Sequence, residues 1–459
     1  MRNSYGSIAA VVALAVAGSL CGAEPGLAAP AAADFCTPAA PSASIAANPS
    51  NYRTILPTLK PGDTLTLEPG VYVRLDLDHL NGRKGSCITI AGPASGAPAV
   101  IRATPGHDTV EITQSSYLAV RNLTIDSLGL PGSHGISAKG NVGNVTHHVL
   151  IEGNRVLGAG GSQQTDGIST KIPTWNWIIR RNTIIGAGTA LYLGNSDGDD
   201  PFIAGIIEDN LVMNPIGYCM EVKYQKARPV LDGMPTDPQT TIIRNNVFIK
   251  NDRPSPDGDR PNLLVGGFPD SGPGAQDLYQ IYGNLIFHNP REALFQASGR
   301  VSFHDNILVD GERAAAVFRN HDLPLRLAHV YSNTVYSARK GIYFADKASE
   351  GDAVAGNLVF AETPISGAIV HQRGNTVGTL ADAGRYLRAP SASLGSMDFF
   401  PLPGKARGPR LDLTPFAGDV DYDIDFNQLP KGSRALRGAY SGDGTNPGWR
   451  LQAAIKTLR

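Results

Sequence analysis

The sequence predicts a single right-handed parallel β-helix, an all-β solenoid with one continuous core. The chain contains 52 Gly and 33 Pro among 459 residues, its apolar residues form short Val/Ile/Leu clusters, and an Asn-centred pattern recurs along it. Such a composition is typical of many short strands joined by turns. A chain of this length would otherwise divide into two or three domains, but a solenoid extends one core along its whole length.

Residues 1–33 have the pattern of an export signal. Arg2 precedes an apolar run from Ile8 to Leu20, and small residues follow, ending at Ala33. Cys21 suggests a lipoprotein as an alternative, but Leu20 stands before it where a small residue is expected. We therefore expect a periplasmic or secreted protein. No later stretch is long and apolar enough to span a bilayer.

The cysteines follow from this location. An oxidising compartment favours a disulfide between Cys36 and Cys87, which would tie the N-terminal segment to the first coils. Cys219 is then left unpaired. We expect it to be an inert core cysteine, with a thiol lining a groove as the alternative.

The repeat consists of an apolar pair, two polar or small residues, an Asn and a second apolar pair. Most intervals are 22 to 32 residues, the length of one coil of two or three strands. We expect each Asn to adopt the left-handed or bridge geometry of a tight turn and its amide to bond the same Asn one coil away. The repeat places these residues at Asn122, Asn154, Asn182, Asn210, Asn246, Asn284, Asn306, Asn333 and Asn357.

The pattern sets the domain boundaries. Less regular coils begin before residue 121, and the repeat fades after Gly395. The sequence thus predicts a signal at 1–33, a β-helix at 34–395 and a capping tail at 396–459. A helix-like stretch is expected near Trp449 to Leu458.

The strand that begins each coil presents two outward rows of side chains, because adjacent parallel strands lie about 4.8 Å apart in register. Outward aromatic rings suit the apolar faces of sugars, and lysines suit carboxylates or sulfates. The alternative is that loops cover these rings. The first row is Ser137, Ser169, Tyr192, Glu221, Leu264, Phe295, Phe318 and Tyr343, and the second is Lys139, Lys171, Gly194, Lys223, Gly266, Ala297, Asn320 and Ala345.

A third row lies two residues before each Asn and alternates in charge. We expect it to form structural ion pairs between neighbouring strands. Its members are Glu152, Arg180, Glu208, Arg244, Tyr282 and His304.

Three insertions locate the working region at residues 225–239, 251–261 and 266–276. Long Gly/Pro-rich loops on one face of a solenoid commonly wall a binding cleft. Here they bracket Glu221, Lys223 and Arg244. Gln225 and Arg228, inside the first insertion, are therefore expected to contact substrate together with Lys139, Lys171, Tyr192, Phe295, Phe318 and Tyr343.

The repeat, the export signal and the strand from Tyr218 to Gln225 resemble the pectate-lyase-like superfamily of right-handed β-helix proteins. Within it, the chondroitinase B and alginate lyase family has a strand Lys as base, an assisting Arg, and acidic residues with an Asn that hold calcium. The resemblance implies Lys223 as base, Arg244 as its assistant and Glu221 as a metal ligand. In that family the carboxylates lie further upstream and His-Gly follows the Arg, whereas Asn245 follows Arg244 here.

The residue types also suit the reaction directly. Eliminating a uronate requires a base, a cation or metal to stabilise the intermediate, and an acid for the leaving oxygen. Lys223, Arg244 and Tyr218 supply these groups, with Tyr224 as an alternative acid. Oxygens of Asn195, Asp197 and Asp199 could bind Ca²⁺, although the same residues also suit an Asx-rich turn; the list of candidate metal ligands is completed by Glu221.

Other functions stay open at this point. Asp166 and the pair Asp199-Asp200 resemble the carboxylates of a polygalacturonase-type hydrolase, an epimerase would act on the same uronate proton, and a glycan-binding scaffold would need no catalysis. A net charge of −1 argues against nucleic acid as the main partner. We expect an exported monomer that acts on an acidic polysaccharide, most simply as a lyase.

Overall fold

A computed structural model describes residues 35–457 except 38 and 142, so the predicted export signal at 1–33 lies outside the described residues. Three long parallel sheets dominate it. Each coil passes through them in the same order, which we call sheets I, II and III. The predicted all-β parallel β-helix is confirmed. Among the described helices, none has the length and apolar character needed to cross a membrane.

Sheet I has eleven strands, and the residues predicted to form the two outward rows lie on or next to them. Its strands are Leu75–Asp78, Val110–Thr113, Ile136–Ala138, Asp166–Thr170, Thr189–Leu193, Met220–Val222, Leu263–Val265, Phe295–Ala297, Ala314–Phe318, Lys340–Phe344 and Thr363–Gly367.

Sheet II has fifteen strands. They are Ser44–Ala47, Thr64–Leu67, Ile88–Ala91, Ser116–Arg121, Thr146–Glu152, Ile178–Arg180, Ile206–Glu208, Thr240–Arg244, Leu278–Tyr282, Gly299–His304, Leu325–Tyr331, Gly351–Ala355 and Gln372–Arg373, with Thr174–Trp175 and Phe202–Ile203 beside them.

Sheet III has twelve strands. They are Gly70–Val73, Ala99–Arg102, Thr124–Asp126, Arg155–Leu157, Thr183–Ile185, Leu211–Met213, Val247–Ile249, Leu285–Asn289, Ile307–Gly311, Thr334–Tyr336, Leu358–Phe360 and Thr376–Gly378. The remaining elements are the antiparallel pair Leu387–Ala389 and Asp398–Pro401, the helix Tyr52–Ile55, and the 3₁₀ turns Leu56–Thr58, Leu380–Arg385 and Thr414–Phe416.

The core runs along the axis between the three sheets. Alternate residues of each strand point inward, as Ile168, Leu191 and Met220 do on successive strands of sheet I. A single coil cannot bury its apolar face, so each coil depends on its neighbours for stability.

The predicted Asn ladder is present. In each step the backbone N–H and the Nδ2 of one Asn donate to Oδ1 of the next Asn at 2.9 to 3.1 Å. Asn375, which the sequence pattern missed, continues the ladder beyond Asn357. Asn122 stands outside it, because the N–H of Leu123 donates to Asn154 instead.

The left-handed backbone falls one residue earlier than predicted. Arg181, Asp209 and Asn245 have φ of 54°, 55° and 57°, and each precedes a ladder Asn. The ladder Asn is thereby free to point its amide along the axis. Asn122, with φ 55°, occupies this preceding position.

The alternating charges of the third row form the predicted structural pairs on sheet II. Arg180 contacts Glu152 at 2.7 Å, and Arg244 contacts Glu208 at 2.8 Å. Arg121 adds a further contact to Glu152 at 2.6 Å. Neighbouring strands are therefore linked by opposite charges across this face.

The predicted disulfide is confirmed. Cys36 is bonded to Cys87, with Cα atoms 5.9 Å apart. Phe35 and the cystine pack on Ala119 and Leu150 of sheet II. Cys219 is free and buried, as expected.

The tail packs along the sides of the β-helix. Phe399, Phe426 and Trp449 belong to the same buried cluster as Val247 and Leu285 of sheet III. On sheet II, the Phe416 ring stacks on Tyr331 with centroids 4.0 Å apart. Residues 449–457 form bends and irregular chain, so the predicted helix-like stretch is wrong within this range.

Candidate functional site

The first outward row of sheet I is in register as predicted through its first five members. Ser137 pairs with Ser169, Ser169 with Tyr192, Tyr192 with Glu221, and Glu221 with Leu264. Tyr343 also lies in this row. The two positions between Leu264 and Tyr343 are occupied by Gln296 and Val317.

Phe295 and Phe318, which we expected in the row, point into the core instead. Both are 0% exposed, and their ring centroids are 5.7 Å apart. Every residue of Ala314–Phe318 is apolar, so period-2 alternation allows two registers one residue apart at Phe318. In Phe295–Ala297 the polar Gln296 marks the outward position, and the prediction aligned this strand one residue out of register. The rings therefore stabilise the coil and are unavailable to a glycan.

Each lysine of the second row lies beside a buried carboxylate. Lys139 Nζ is 2.9 Å from Asp108 Oδ2, and Lys171 Nζ is 3.0 Å from Asp166 Oδ2. Lys223 Nζ donates to Glu221 Oε1 at 2.9 Å. Although burial opposes it, the contact with Asp108 raises the pKa of Lys139. The row therefore presents ammonium groups, each in contact with a buried carboxylate.

Tyr192 lies between two of these lysines. Nζ of Lys171 and Nζ of Lys223 are 5.4 and 5.9 Å from the centroid of its ring. Burial and then the charge of Glu221 raise the pKa of the half-buried phenol well above its usual range. Tyr192 is consequently a protonated phenol flanked by cations.

His134 and Asp166 form a second pair in the same groove. His134 Nδ1 is 3.1 Å from Asp166 Oδ2, and the Asp166 N–H donates to that nitrogen at 2.8 Å. Lys171 Nζ is 3.5 Å from Nε2 of the same ring. The imidazole is therefore oriented through one nitrogen by Asp166, while the other nitrogen faces the lysine row.

Sequence reasoning did not place His134 among the candidate residues. It lies in a turn ahead of the strand, where the outward rows were not aligned. A signal was available: Ser-His-Gly-Ile at 133–136 and Thr-Asp-Gly-Ile at 165–168 occupy the same place in successive coils. The shared Gly-Ile would have aligned the two side chains.

Glu221 is a buried acid at the centre of this cluster. Burial raises its pKa, and Lys223 and Arg260 partly oppose that effect. Tyr218, one of the predicted catalytic residues, lies immediately beside it in the same coil. Burial and then Glu221 raise the pKa of the Tyr218 phenol, so it also stays protonated.

Arg244 is not part of the cluster. It lies on sheet II, where it contacts Glu208 and its Nη1 donates to Tyr282 Oη at 3.0 Å. The prediction treated the next strand in the chain as the next strand in space. In a β-helix the chain turns to another face at each strand, so the expected neighbour of Lys223 is wrong.

Gln225 and Arg228 have structural contacts. Both are buried; Gln225 Nε2 donates to the carbonyl of Phe202 at 3.1 Å. Arg228 binds Asp277 and donates to the carbonyl of Pro235 at 2.9 Å. They hold two inserted loops to the β-helix. Neither side chain is exposed, so the predicted contact of these two residues with substrate is not seen.

The candidate calcium ligands do not form one site. Asp197 Oδ1 accepts the N–H of Asp199 at 3.0 Å, and Asn195 donates to Asp200 at 3.0 Å. Asp199 contacts Lys226 at 3.2 Å, while Glu221 is held by Lys223. Across the described ranges, no three His, Cys, Asp or Glu side chains are grouped to hold a metal. The segment forms the Asx-rich turn given above as the alternative, and Glu221 lies apart from it in its contact with Lys223.

The insertion at residues 251–261, which we call the strap, walls one side of the groove. From the coil of Leu263–Val265 it extends back to Gln163, ahead of the strand Asp166–Thr170. It therefore crosses the coils that carry Tyr218 and Tyr192. The insertion at 225–239 and residues 266–277 form the opposite wall, joined by Arg228 and Asp277.

No family model and no curated protein matches the chain. Solved structures with a similar fold include an alginate lyase from Paenibacillus sp. str. FPU-7, with 14% sequence identity and a TM-score of 0.46. The alignment covers 74% of this chain and 98% of that one. The A-module of the Azotobacter vinelandii mannuronan C-5 epimerase AlgE4 has 13% identity and a TM-score of 0.49, and the alignment covers 69% of this chain and 87% of the A-module. The pectate lyase Pel9A has 12% identity and a TM-score of 0.41, and the alignment covers 92% of this chain and 99% of Pel9A.

Proposed function

We propose that this protein is a polysaccharide-active enzyme, a lyase that cleaves an acidic, uronate-containing polysaccharide by β-elimination in the groove of sheet I. The observation that carries the proposal is the protonated Tyr192 phenol between Lys171 and Lys223, with Nζ atoms 5.4 and 5.9 Å from the ring centroid. A sugar carboxylate above this ring would meet both cations. Export, as expected from residues 1–33, would give the enzyme access to such polymers.

Elimination begins with the removal of the proton on the carbon beside the carboxylate. The charge then spreads onto the carboxylate oxygens, and nearby cations stabilise it most at this point. Lys171 and Lys223 have this role in the proposal. Lys223 was first expected to be the base. Its ammonium group lies 2.9 Å from Glu221 Oε1, so in the proposal it contributes positive charge and does not accept the proton.

The base and the acid come from the two remaining groups. His134 serves as the base in the tautomer that carries its proton on Nδ1, 3.1 Å from Asp166 Oδ2. In that tautomer the Asp166 N–H no longer donates to Nδ1, and the free lone pair on Nε2 accepts the proton. The freed electron pair forms a double bond to the next ring carbon, whose bond to the glycosidic oxygen breaks. Tyr192 donates its phenolic proton to that oxygen, so one new unsaturated end and one new reducing end appear per cut.

The test is a screen of the purified protein against alginate, pectate, glycosaminoglycans and bacterial exopolysaccharides, with calcium and with a chelator. Unsaturated ends that appear together with reducing ends support the lyase. Reducing ends without unsaturation indicate a hydrolase, and inverted uronates in uncut chains indicate an epimerase. Binding without any product would replace the proposal with a glycan-binding scaffold.

A glycoside hydrolase is the second candidate. The buried Glu221 has a raised pKa, as a general acid requires, and Asp166 is a second buried carboxylate in the groove. Glu221→Gln would abolish hydrolysis because the amide cannot supply the proton. In the lyase, the same variant should keep turnover, since Glu221 only orients Lys223.

Variants of Lys223 test whether this residue acts as a stabilising cation or as the catalytic base. Lys223→Arg should keep turnover within a few fold, whereas Lys223→Met should lose about 10²-fold, because only the methionine removes the charge. Steady-state rates on the substrate found by the screen give the comparison. Lys139→Met is the matched control: as an expected substrate contact two coils upstream of Tyr192, it should change KM and leave kcat at the parent value. If both Lys223 variants are inactive, Lys223 is the base and His134 is not.

A further inference from the structure

Arg260 differs from the other cations of the groove. Lys139, Lys171 and Lys223 are each within 3.0 Å of a carboxylate oxygen. In the part of the chain that the structure describes, no carboxylate lies at ion-pair distance from Arg260, and its guanidinium donates only to main-chain carbonyls. Each lysine thus has a carboxylate in direct contact, whereas the guanidinium of Arg260 keeps donors that no carboxylate of the described residues contacts.

The strap holds the guanidinium in place. Nη1 of Arg260 donates to the carbonyl of Asp259 at 3.2 Å, and Nη2 donates to the carbonyl of Asp257 at 3.0 Å. Gly258 has φ 99°, and a Cβ there would lie 3.0 Å from Nη1. A glycine is therefore required for both the backbone and the space beside the guanidinium. Folded back in this way, the half-buried side chain has little freedom left to lose when it binds a ligand.

The guanidinium lies over the catalytic end of the groove. Its central carbon is 5.8 Å from the centroid of the Tyr218 ring. Tyr218 belongs to the same coil as Glu221, which pairs in register with Tyr192. Arg260 is therefore one coil beyond Tyr192, about 4.8 Å further along the axis. This is about the length of one sugar residue in an extended chain.

Gln163 fixes the position of the strap from a distant coil. Its Oε1 accepts the N–H of Asp257 at 3.0 Å, and its Nε2 donates to the carbonyl of Gly258 at 3.2 Å. The Gln163 side chain is buried, so the two bonds form a clamp on the tip of the strap. The clamped residues are the ones that hold and flank the guanidinium.

We infer that Arg260 binds the carboxylate of the sugar next to the reacting one, and that Gln163 is the residue that positions it. The inference rests on the proposed function for the identity of the polymer. A planar guanidinium matches a carboxylate in a two-bond geometry that an ammonium cannot reproduce. Arg260 would thus make the enzyme require two consecutive acidic sugars, where Lys171 and Lys223 require only one.

The experiment compares uronate oligomers with the same oligomers after reduction of their carboxyl groups to alcohols, by titration calorimetry. Arg260→Gln should weaken binding of the acidic oligomer about tenfold to a hundredfold and leave the reduced oligomer unchanged. The affinity of Arg260→Lys for the acidic oligomer should lie between those of the parent protein and Arg260→Gln. In turnover assays, Arg260→Gln should raise KM with little change in kcat, because the contact is the same in ground and transition states.

Gln163→Leu tests the positioning role. It should repeat the loss seen for Arg260→Gln on the acidic oligomer, and the double variant should lose no more than either single variant. Equal binding of the acidic oligomer by Arg260→Gln and the parent protein would overturn the inference, as would an equal loss on both oligomers. Absence of turnover in the parent protein would count against the proposed lyase alone, since the calorimetric comparison does not depend on turnover.

Discussion

Tyr192→Phe is expected to lower turnover by about 10²- to 10⁴-fold, the range for loss of a positioned general acid. The substitution keeps the ring between Lys171 and Lys223 and removes only the phenolic proton. Since those lysines lie 5.4 and 5.9 Å from the ring centroid, their contact with the ring should persist. Binding of substrate should therefore change little, and the loss should appear in kcat.

Tyr343→Phe is the matched control for this prediction. Tyr343 lies in the same outward row of sheet I, with Lys340 Nζ 3.6 Å from its ring centroid, but several coils from His134 and Glu221. Its phenol has no part in the proposed reaction, so kcat should stay at the parent value. If Tyr192→Phe retains turnover, the acid is another group, and Tyr218 is the first to replace.

Asn246→Ala is expected to lower the free energy of unfolding by about 3 kcal/mol. Asn246 is 0% exposed and lies in the middle of the ladder. Its Oδ1 accepts two bonds from Asn210, while its Nδ2 donates to Ile207 and Asn284. The alanine leaves these groups buried without partners, which costs more than the bonds themselves contribute. Urea unfolding followed by circular dichroism measures the change.

Asn375→Ala provides the control within the same ladder. Asn375 is the last member and is only partly buried, so water can replace some of its bonds. We expect its loss to cost less than half as much as Asn246→Ala. Equal costs at the two positions would mean that the ladder contributes through local turns and not through buried polar groups.

The fold could be predicted because its main determinant is periodic. Each coil repeats the same apolar pairs around one Asn, and that Asn bonds to its counterpart in the next coil. The periodic signal fails where a strand is apolar throughout. At Ala314–Phe318 either of two registers buries apolar surface, and the packing of Phe318 against Phe344 selects the inward one. At Phe295–Ala297 the polar Gln296 already marked the outward position, and the alignment missed it. Tertiary contacts thus decide what alternation leaves open.

The site was predicted only where its residues lie on strands. Lys171, Tyr192, Glu221 and Lys223 follow from alignment of successive coils. His134 lies in a turn and Arg260 in the strap, where no repeat fixes the alignment. Their positions depend on single long-range contacts, such as the bond between Gln163 and Asp257, which spans 94 residues. Sequence periodicity carries no information about such contacts.

The Asn ladder makes the length of a coil independent of how coils stack. Consecutive ladder residues are 38 positions apart between Asn246 and Asn284 but 18 apart between Asn357 and Asn375, and the amide bonds at these steps are 3.1 and 3.0 Å. Residues added elsewhere in a coil therefore leave the stacking unchanged. The scaffold can accept longer, shorter or exchanged groove walls, provided that each coil keeps its Asn. Substrate preference could then diverge by exchange of loops alone, without a change in the core.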